Sequence, residues 1–150
     1  MTGLVRSLAV FGLAIVLAVA ASAGTAPAAS MTDAQLVAAR VAAMKEDGKI
    51  LKGAKDLKGP AAVQAATTIL KNFTNFPTLF RKGSITPDSR ALPAIWENWA
   101  DFTGRLAAEK ANASAMLAAA KAGDKKAYDA AVEALKRPCS NCHLTYARVF

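Results

Sequence analysis

The chain has 150 residues, 53% of them apolar and 20% charged, with a formal net charge of +8. That length is one domain's worth, and an alanine-rich composition with few aromatic residues excludes a collagen-like or disordered chain, argues against a β-sandwich and favours helices. Two cysteines and one histidine exclude a disulfide-dense scaffold, a multi-ligand Cys/His zinc site and any catalytic triad that does not use that one histidine.

Residues 1–23 have the form of a secretory signal. Arg6 is their only charge, 8–21 is an apolar run, and Ala21-Ser22-Ala23 is an A-x-A cleavage site. Ala26-Pro27-Ala28 is a second candidate site. The run is shorter than the ~20 residues of a membrane-spanning helix. Cleavage after Ala23 removes 23 of the 150 residues and leaves 127, and the loss of Arg6 lowers the charge from +8 to +7. The expectation is an exported domain at 32–150 behind a flexible lead-in at 24–31.

Four stretches then carry apolar residues at the helical period. The first, 32–53, has Thr32 or Asp33 as N-cap. Val37, Val41, Met44, Gly48 and Leu51 follow one face, and Lys45, Glu46, Asp47, Lys49 and Lys52 lie mostly elsewhere. The second, 60–80, opens on Pro60, a good first-turn residue. Its stripe is Val63, Ala66, Leu70, Phe73 and Phe80, with Ile69 and Phe76 beside it, and Pro77 is expected to bend or end it. Residues 81–92 hold Gly, Pro, Ser and Asp and read as a loop. The third stretch, 93–121, puts Ile95, Trp96, Trp99, Phe102, Leu106 and Met116 on one broad face, and Gly123 stops it. The fourth opens on Asp124 and runs to near the C-terminus. Tyr128, Val132, Leu135, Cys139, Cys142, His143 and Tyr146 form its stripe, which Pro138 interrupts. The expected fold is all-α, an antiparallel four-helix bundle.

The fourth stripe contains Cys139-Ser140-Asn141-Cys142-His143. C-x-x-C-H is the c-type haem attachment signature. Each thiol adds to one vinyl group of haem, and the adjacent imidazole gives iron an axial nitrogen. On a helix the three residues stand at i, i+3 and i+4 and point the same way. A disulfide is one alternative, although redox C-x-x-C sites usually adjoin a βαβ pattern that is absent here. Zinc is a second, and it lacks a fourth ligand. A core histidine beside two coincidental cysteines is the third.

Three patches carry a resemblance. They are Arg40 to Lys45 (RVAAMK), Leu92 to Phe102 (LPAIWENWADF), and Ala122-Gly123-Asp124 leading into Cys139 to Tyr146. In these the chain resembles the cytochrome c prime family, exported bacterial four-helix-bundle haem proteins with C-x-x-C-H in the last helix. The resemblance implies one haem c on Cys139 and Cys142, His143 as its proximal ligand, and Met44 facing the distal side. With the Met44 sulfur on iron, the site suits single-electron transfer. With the sulfur off iron, it is open to NO or CO, which makes a gas-binding role the alternative. A space-filling core methionine is the plain reading of Met44. The resemblance implies that Arg40 neutralises a haem propionate, the plain reading being a solvated helix charge. Trp96, Phe80 and Tyr146 are the expected pocket residues, with Trp99, Phe73, Phe76 and Tyr128 as further candidates.

There are departures from the family pattern. After His143 the family often has two acidic residues, an aromatic and a base. Here the run is Leu144-Thr145-Tyr146-Ala147-Arg148, so the base comes one position late. Pro138 is unusual inside that helix. No second histidine or distal base supports an enzyme, and a non-enzymatic carrier in the periplasm is expected. Lys45, Lys49, Lys52, Lys55 and Lys58 form a basic stretch, with Lys71, Arg81 and Lys82 further on. It reads plainly as a solvated face and functionally as steering towards an acidic redox partner. Nucleic-acid binding and stable membrane insertion are not expected. The apolar surplus of the second helix favours a homodimer.

Replacing Cys139 and Cys142 together with Ala is expected to abolish haem retention in denaturant. Haem absorbance that stays with the unfolded double variant contradicts covalent attachment.

Overall fold

The computed structural model describes residues 27–148, so the predicted leader at 1–23 lies outside the described residues. Helix α1 spans Asp33–Gly53. The Thr32 hydroxyl accepts from the Gln35 N–H at 3.3 Å, and the Gln35 side chain accepts from the Thr32 N–H at 2.8 Å. This reciprocal pair satisfies two donors that a helix start leaves open. A short 3-10 turn, Ala28–Ser30, precedes it. Arg81 donates to the Met31 carbonyl at 2.9 Å and to Asp33 at 2.5 Å, so part of the expected lead-in is folded against the bundle.

Helix α2 spans Gly59–Leu79, with Pro60 in its first turn and Pro77 in its last. The third expected helix is two. Helix α3 is Ala94–Glu97 and helix α4 is Trp99–Ala122, separated by Asn98 at φ −119° and ψ 43°. Both the backbone N–H and the side-chain amide of Asn98 donate to the Ala94 carbonyl, at 3.0 and 3.2 Å. A short amide side chain competes here with the helical ladder. The Trp96 indole N–H donates to the Phe80 carbonyl at 2.9 Å and fixes α3 against the end of α2. Gly123, at φ +68°, ends α4 in the left-handed conformation that glycine adopts without strain.

The fourth helix is also broken. Helix α5 is Lys125–Lys136 and helix α6 is Cys139–Tyr146. Asp124 caps α5 by accepting from the Ala127 N–H at 2.9 Å. Pro138 brings no N–H, so the helical ladder lapses where it enters. Among the described residues there is no strand, only an isolated antiparallel bridge between Ala91 and Ala147. The fold is an antiparallel four-helix bundle. Helix α4 packs most broadly on α2 and next on α5, while α1 lies against α2 and touches α5. Ile69, Phe76, Met116, Tyr128, Val132 and Leu135 fill the interior. No helix of the described residues is long and apolar enough to cross a membrane.

Helix α1 corrects the expected stripe. Its buried residues are Leu36, Val37, Arg40, Asp47 and Leu51, and Met44 is half-buried. Val41 is 36% exposed and Gly48 is exposed. The helical period holds, but two charged residues occupy inward positions. Asp47, expected off the buried face, accepts an amide N–H of Asn72 at 2.8 Å on Oδ1, and its Oδ2 is buried without a partner. Burial pushes the Asp47 carboxyl up to about 7, the Asn72 hydrogen bond opposes that rise, and the Glu46 charge adds to it.

An unfolded aspartate titrates at about 3.9. Between about pH 4 and pH 7 the folded chain therefore holds a proton that the unfolded chain has lost, and stability falls as pH rises through that window. Asp47→Asn is expected to flatten this slope and to raise stability above neutral pH. Urea unfolding across the pH range checks it, and an unchanged slope contradicts it.

Candidate haem site

The break at Pro138 starts a fresh helix whose opening turns hold the motif. Cys139, Cys142 and His143 stand at i, i+3 and i+4 on α6. Cys139 is exposed, and its thiol donates to the Leu135 carbonyl at 3.2 Å beside the break. After Tyr146 the chain becomes extended and joins the loop that follows α2. The Leu92 N–H donates to the Tyr146 carbonyl at 3.0 Å, and the Arg148 N–H donates to the Arg90 carbonyl at 2.8 Å. The Arg90 side chain donates twice to the Arg148 carbonyl, from Nε at 3.0 Å and Nη2 at 2.7 Å.

Helix α1 grips the same loop from another side. Arg40 is only 4% exposed. Its Nη1 donates to the Leu79 carbonyl at 3.3 Å and to Ser84 Oγ at 3.0 Å. Its Nη2 donates to the Ser84 carbonyl at 2.7 Å and to Ser89 Oγ at 2.8 Å. The guanidinium carbon lies 4.7 Å from the Phe80 ring centroid. Burial lowers the Arg40 pKa, and Asp33 works against that. The group nevertheless stays charged, as guanidinium does in proteins.

Between these elements lies a cleft of about 310 Å³. Met44 lines it from α1, and Cys142 and His143 line it from α6. Phe80, Phe102 and Tyr146 form an aromatic wall, with Phe102 4.8 Å from Phe80 and 5.3 Å from Tyr146 between ring centroids. Lys45 and Arg90 border the cleft as exposed cations. The sequence reading placed Lys45 in the helix-one patch and in a basic stretch, but gave it no part in the pocket. It passed over Arg90, because a loop has no period that flags a site residue.

Other expected pocket residues stand elsewhere. Trp96 does not line the cleft but braces Phe80 from behind through its indole N–H. Trp99 is 38% exposed. Phe73 and Phe76 pack edge-on at 5.3 Å within the core. Tyr128 borders a second cavity of about 320 Å³, whose lining holds no cysteine, histidine or methionine.

The first cleft fits a haem. An imidazole and a thiol open into an apolar space that a methionine borders from another helix. Both cysteines are free, so no disulfide competes. Burial raises the pKa of each thiol, and the negative charge of Glu109 adds to this, while Arg105 opposes it at Cys142. Zinc would also need a fourth ligand, and the sequence has no other cysteine or histidine to give it. Among the described residues no cluster of three His, Cys, Asp or Glu side chains could hold a metal ion.

Known proteins resemble this chain in sequence and fold. A family model described as Cytochrome C' matches residues 20–147. A cytochrome c-556 from Agrobacterium tumefaciens is 42% identical over 97 residues, which cover 65% of this chain and 78% of that protein. The solved cytochrome c prime of Shewanella frigidimarina superposes with a TM-score of 0.67 at 27% identity, covering 78% of this chain and 97% of that one. A nitric oxide complex of a variant cytochrome c prime from Alcaligenes xylosoxidans superposes with a TM-score of 0.64 at 23% identity, covering 79% and 98% of the two chains. Likeness at that identity speaks to the fold alone.

Removing Arg40 strands the buried Ser84 carbonyl and releases the loop from α1. Arg40→Ala is expected to cost about 3 kcal/mol in urea unfolding. Amide exchange across 84–91 is expected to quicken. Arg40→Lys is expected to rescue little, because one ammonium cannot reach four acceptors in a planar fork. Full rescue by lysine contradicts the clamp.

Proposed function

We propose, from the premise that this chain belongs to the cytochrome c prime family and carries covalently bound haem c, that it is an exported single-electron carrier. In this reading His143 and Met44 are the two residues that would hold the iron. One observation carries the reading: Met44 and His143 line the same cleft from different helices. Cys139 and Cys142 would fasten the macrocycle by thioethers, for which the Cys139 thiol would have to leave the Leu135 carbonyl.

The bound group supplies a one-electron iron couple, whose potential a Met/His ligand pair raises. Around it, this chain's residues exclude water and set charge. Phe80, Phe102 and Tyr146 give the cleft a low-polarity wall. Lys45 and Arg90 place positive charge at its edge to meet the propionates. Both Nη groups of Arg40 are engaged by the end of α2 and the loop after it, so Arg40 contributes its charge.

Lys45, Lys49, Lys52 and Lys58 are exposed, with Lys45 at the cleft and Lys58 at the second cavity. In this reading they draw an acidic redox partner to the protein, with Lys45 nearest the cleft. Lys55 contributes less, being paired with Glu133 at 2.9 Å. The leader-like sequence at 1–23 supports a periplasmic location.

Optical spectroscopy tests the reading. The reduced protein is expected to show sharp low-spin bands, and the oxidised protein a near-infrared sulfur-to-iron charge-transfer band. Met44→Ala is expected to remove that band, turn the spectrum high-spin and admit CO. A wild-type spectrum that is already broad, high-spin and shifted by CO contradicts the carrier reading and favours gas binding.

A further inference from the structure

The second cavity stands at the far end of the bundle from the haem cleft. Helix α2 starts at it with Gly59 and, 21 residues long, ends beside Phe80 in the cleft. At about 1.5 Å per residue that is a separation of about 30 Å. Helix α4 ends at this cavity and α5 begins at it. Its volume of about 320 Å³ lies at the small end of the range for ligand pockets.

One polar group here lacks a partner. Tyr128 lines the cavity and is 2% exposed, and its hydroxyl is buried with no hydrogen bond. Buried hydroxyls are normally paired, and leaving one open is destabilising. A ligand that brings a hydroxyl or carbonyl to it relieves that cost.

Positive charge stands at the exposed edge of the same cavity. Lys58 is exposed and enters no ion pair among the described residues. No side chain caps α2, and a helix start leaves first-turn N–H groups open to an anion. Gly59, at φ +53°, has open space where a side chain would stand. The other charges of the lining are already engaged. Lys125 Nζ donates to both carboxylate oxygens of Asp129, at 2.7 and 2.6 Å, and Asp124 Oδ1 accepts from the Ala127 N–H at 2.9 Å. Leu57, Ala62, Ala119 and Ala120 supply the apolar lining.

These groups select a chemistry. A neutral molecule leaves Lys58 and the start of α2 unused, and a cation meets Lys58 as a like charge. An inorganic anion covers none of the apolar lining. We propose that this cavity binds a small organic carboxylate with an apolar body the size of one ring and a hydroxyl at the end away from the carboxylate. The carboxylate meets Lys58 and the first turn of α2, the body lies on Leu57 and the alanines, and the hydroxyl pairs with Tyr128. A hydroxybenzoate is the simplest such molecule. The site is separate from the iron and does not rest on the carrier reading.

Calorimetric titration of the haem-loaded protein with 4-hydroxybenzoate tests the proposal. One molecule is expected to bind, with a Kd of about 0.1–1 mM for so few atoms. Benzoate, which lacks the hydroxyl, and 4-hydroxybenzyl alcohol, which lacks the charge, are each expected to bind more weakly. Lys58→Ala, at an exposed side chain, is expected to weaken 4-hydroxybenzoate by about fivefold and to leave the alcohol unchanged. Tyr128→Phe is expected to bring 4-hydroxybenzoate down to the affinity of benzoate. It is also expected to leave the ligand-free Tm unchanged or raised, because an unpaired hydroxyl is removed. Amide NMR shifts are expected at 57–62 and 119–128, with no change in the haem spectrum.

No heat from 4-hydroxybenzoate at millimolar concentration overturns the proposal. So does an affinity that Tyr128→Phe leaves unchanged, or one that sulfate matches, since either reduces the site to an exposed lysine. A lowered Tm of ligand-free Tyr128→Phe shows the hydroxyl to be satisfied without a ligand and also overturns it. Binding that shifts the haem spectrum belongs to the cleft and contradicts the assignment to this cavity. The spectrum of the ligand-free protein decides the carrier reading by itself, so the two failures are distinguishable.

Discussion

Arg40 is a charge withdrawn from water, and the fold compensates it with four hydrogen bonds and an aromatic face. A buried guanidinium without such partners costs several kcal/mol. The acceptors are therefore not free to drift, and three of the four belong to Ser84 and Ser89 of the loop after α2. That loop holds Ala91, the partner of Ala147 in the isolated bridge. Through it, the position of α1 fixes where α6 ends and hence where His143 stands relative to Met44. Arg90 and Arg148 tighten the same junction from the outside. The cleft is a consequence of this clamp as much as of its own lining.

The two helix breaks serve the same geometry. At Asn98 the chain turns so that Trp96 bonds to the end of α2 while Phe102 meets Phe80 and Tyr146. At Pro138 the ladder lapses, and the motif restarts as a separate helix resting on α3 and α4. An unbroken fourth helix would carry Cys142 and His143 along the axis of α5. The long pairing of α2 with α4 and of α4 with α5 supplies a rigid frame, and the site is assembled where that regularity stops.

What was legible in the sequence was local. Thr32, Pro60, Gly123 and Asp124 act on residues within one turn, and each marks the helix end it was expected to mark. The motif falls on one helix, α6, where Cys142 and His143 line the cleft and Cys139, expected to point the same way, turns its thiol to the Leu135 carbonyl. The inward face of α1 was misread at Asp47, because hydropathy takes charge to mean water. A charge can face inward when distant partners such as Asn72 meet it, and those partners are invisible along one helix. The break at Asn98 was hidden for a related reason, since the preceding turn is anchored by Trp96 on Phe80, sixteen residues away. Trp96 was expected in the pocket on its aromatic character, yet its indole N–H found a carbonyl behind the wall. Arg90 escaped notice because its role depends on a loop meeting the C-terminal segment.

The proposed carrier rests on His143 and Met44, which line one cleft, being the two residues that would hold one iron. Iron K-edge X-ray absorption fine structure of the haem-loaded, oxidised protein measures this directly. The thioether sulfurs of Cys139 and Cys142 are bonded to the macrocycle edge, so a sulfur at bonding distance from iron must come from methionine. The account predicts a sulfur scatterer in the first shell beside the ring and imidazole nitrogens, lost in Met44→Ala. A first shell of nitrogen alone, unchanged by that substitution, would contradict it.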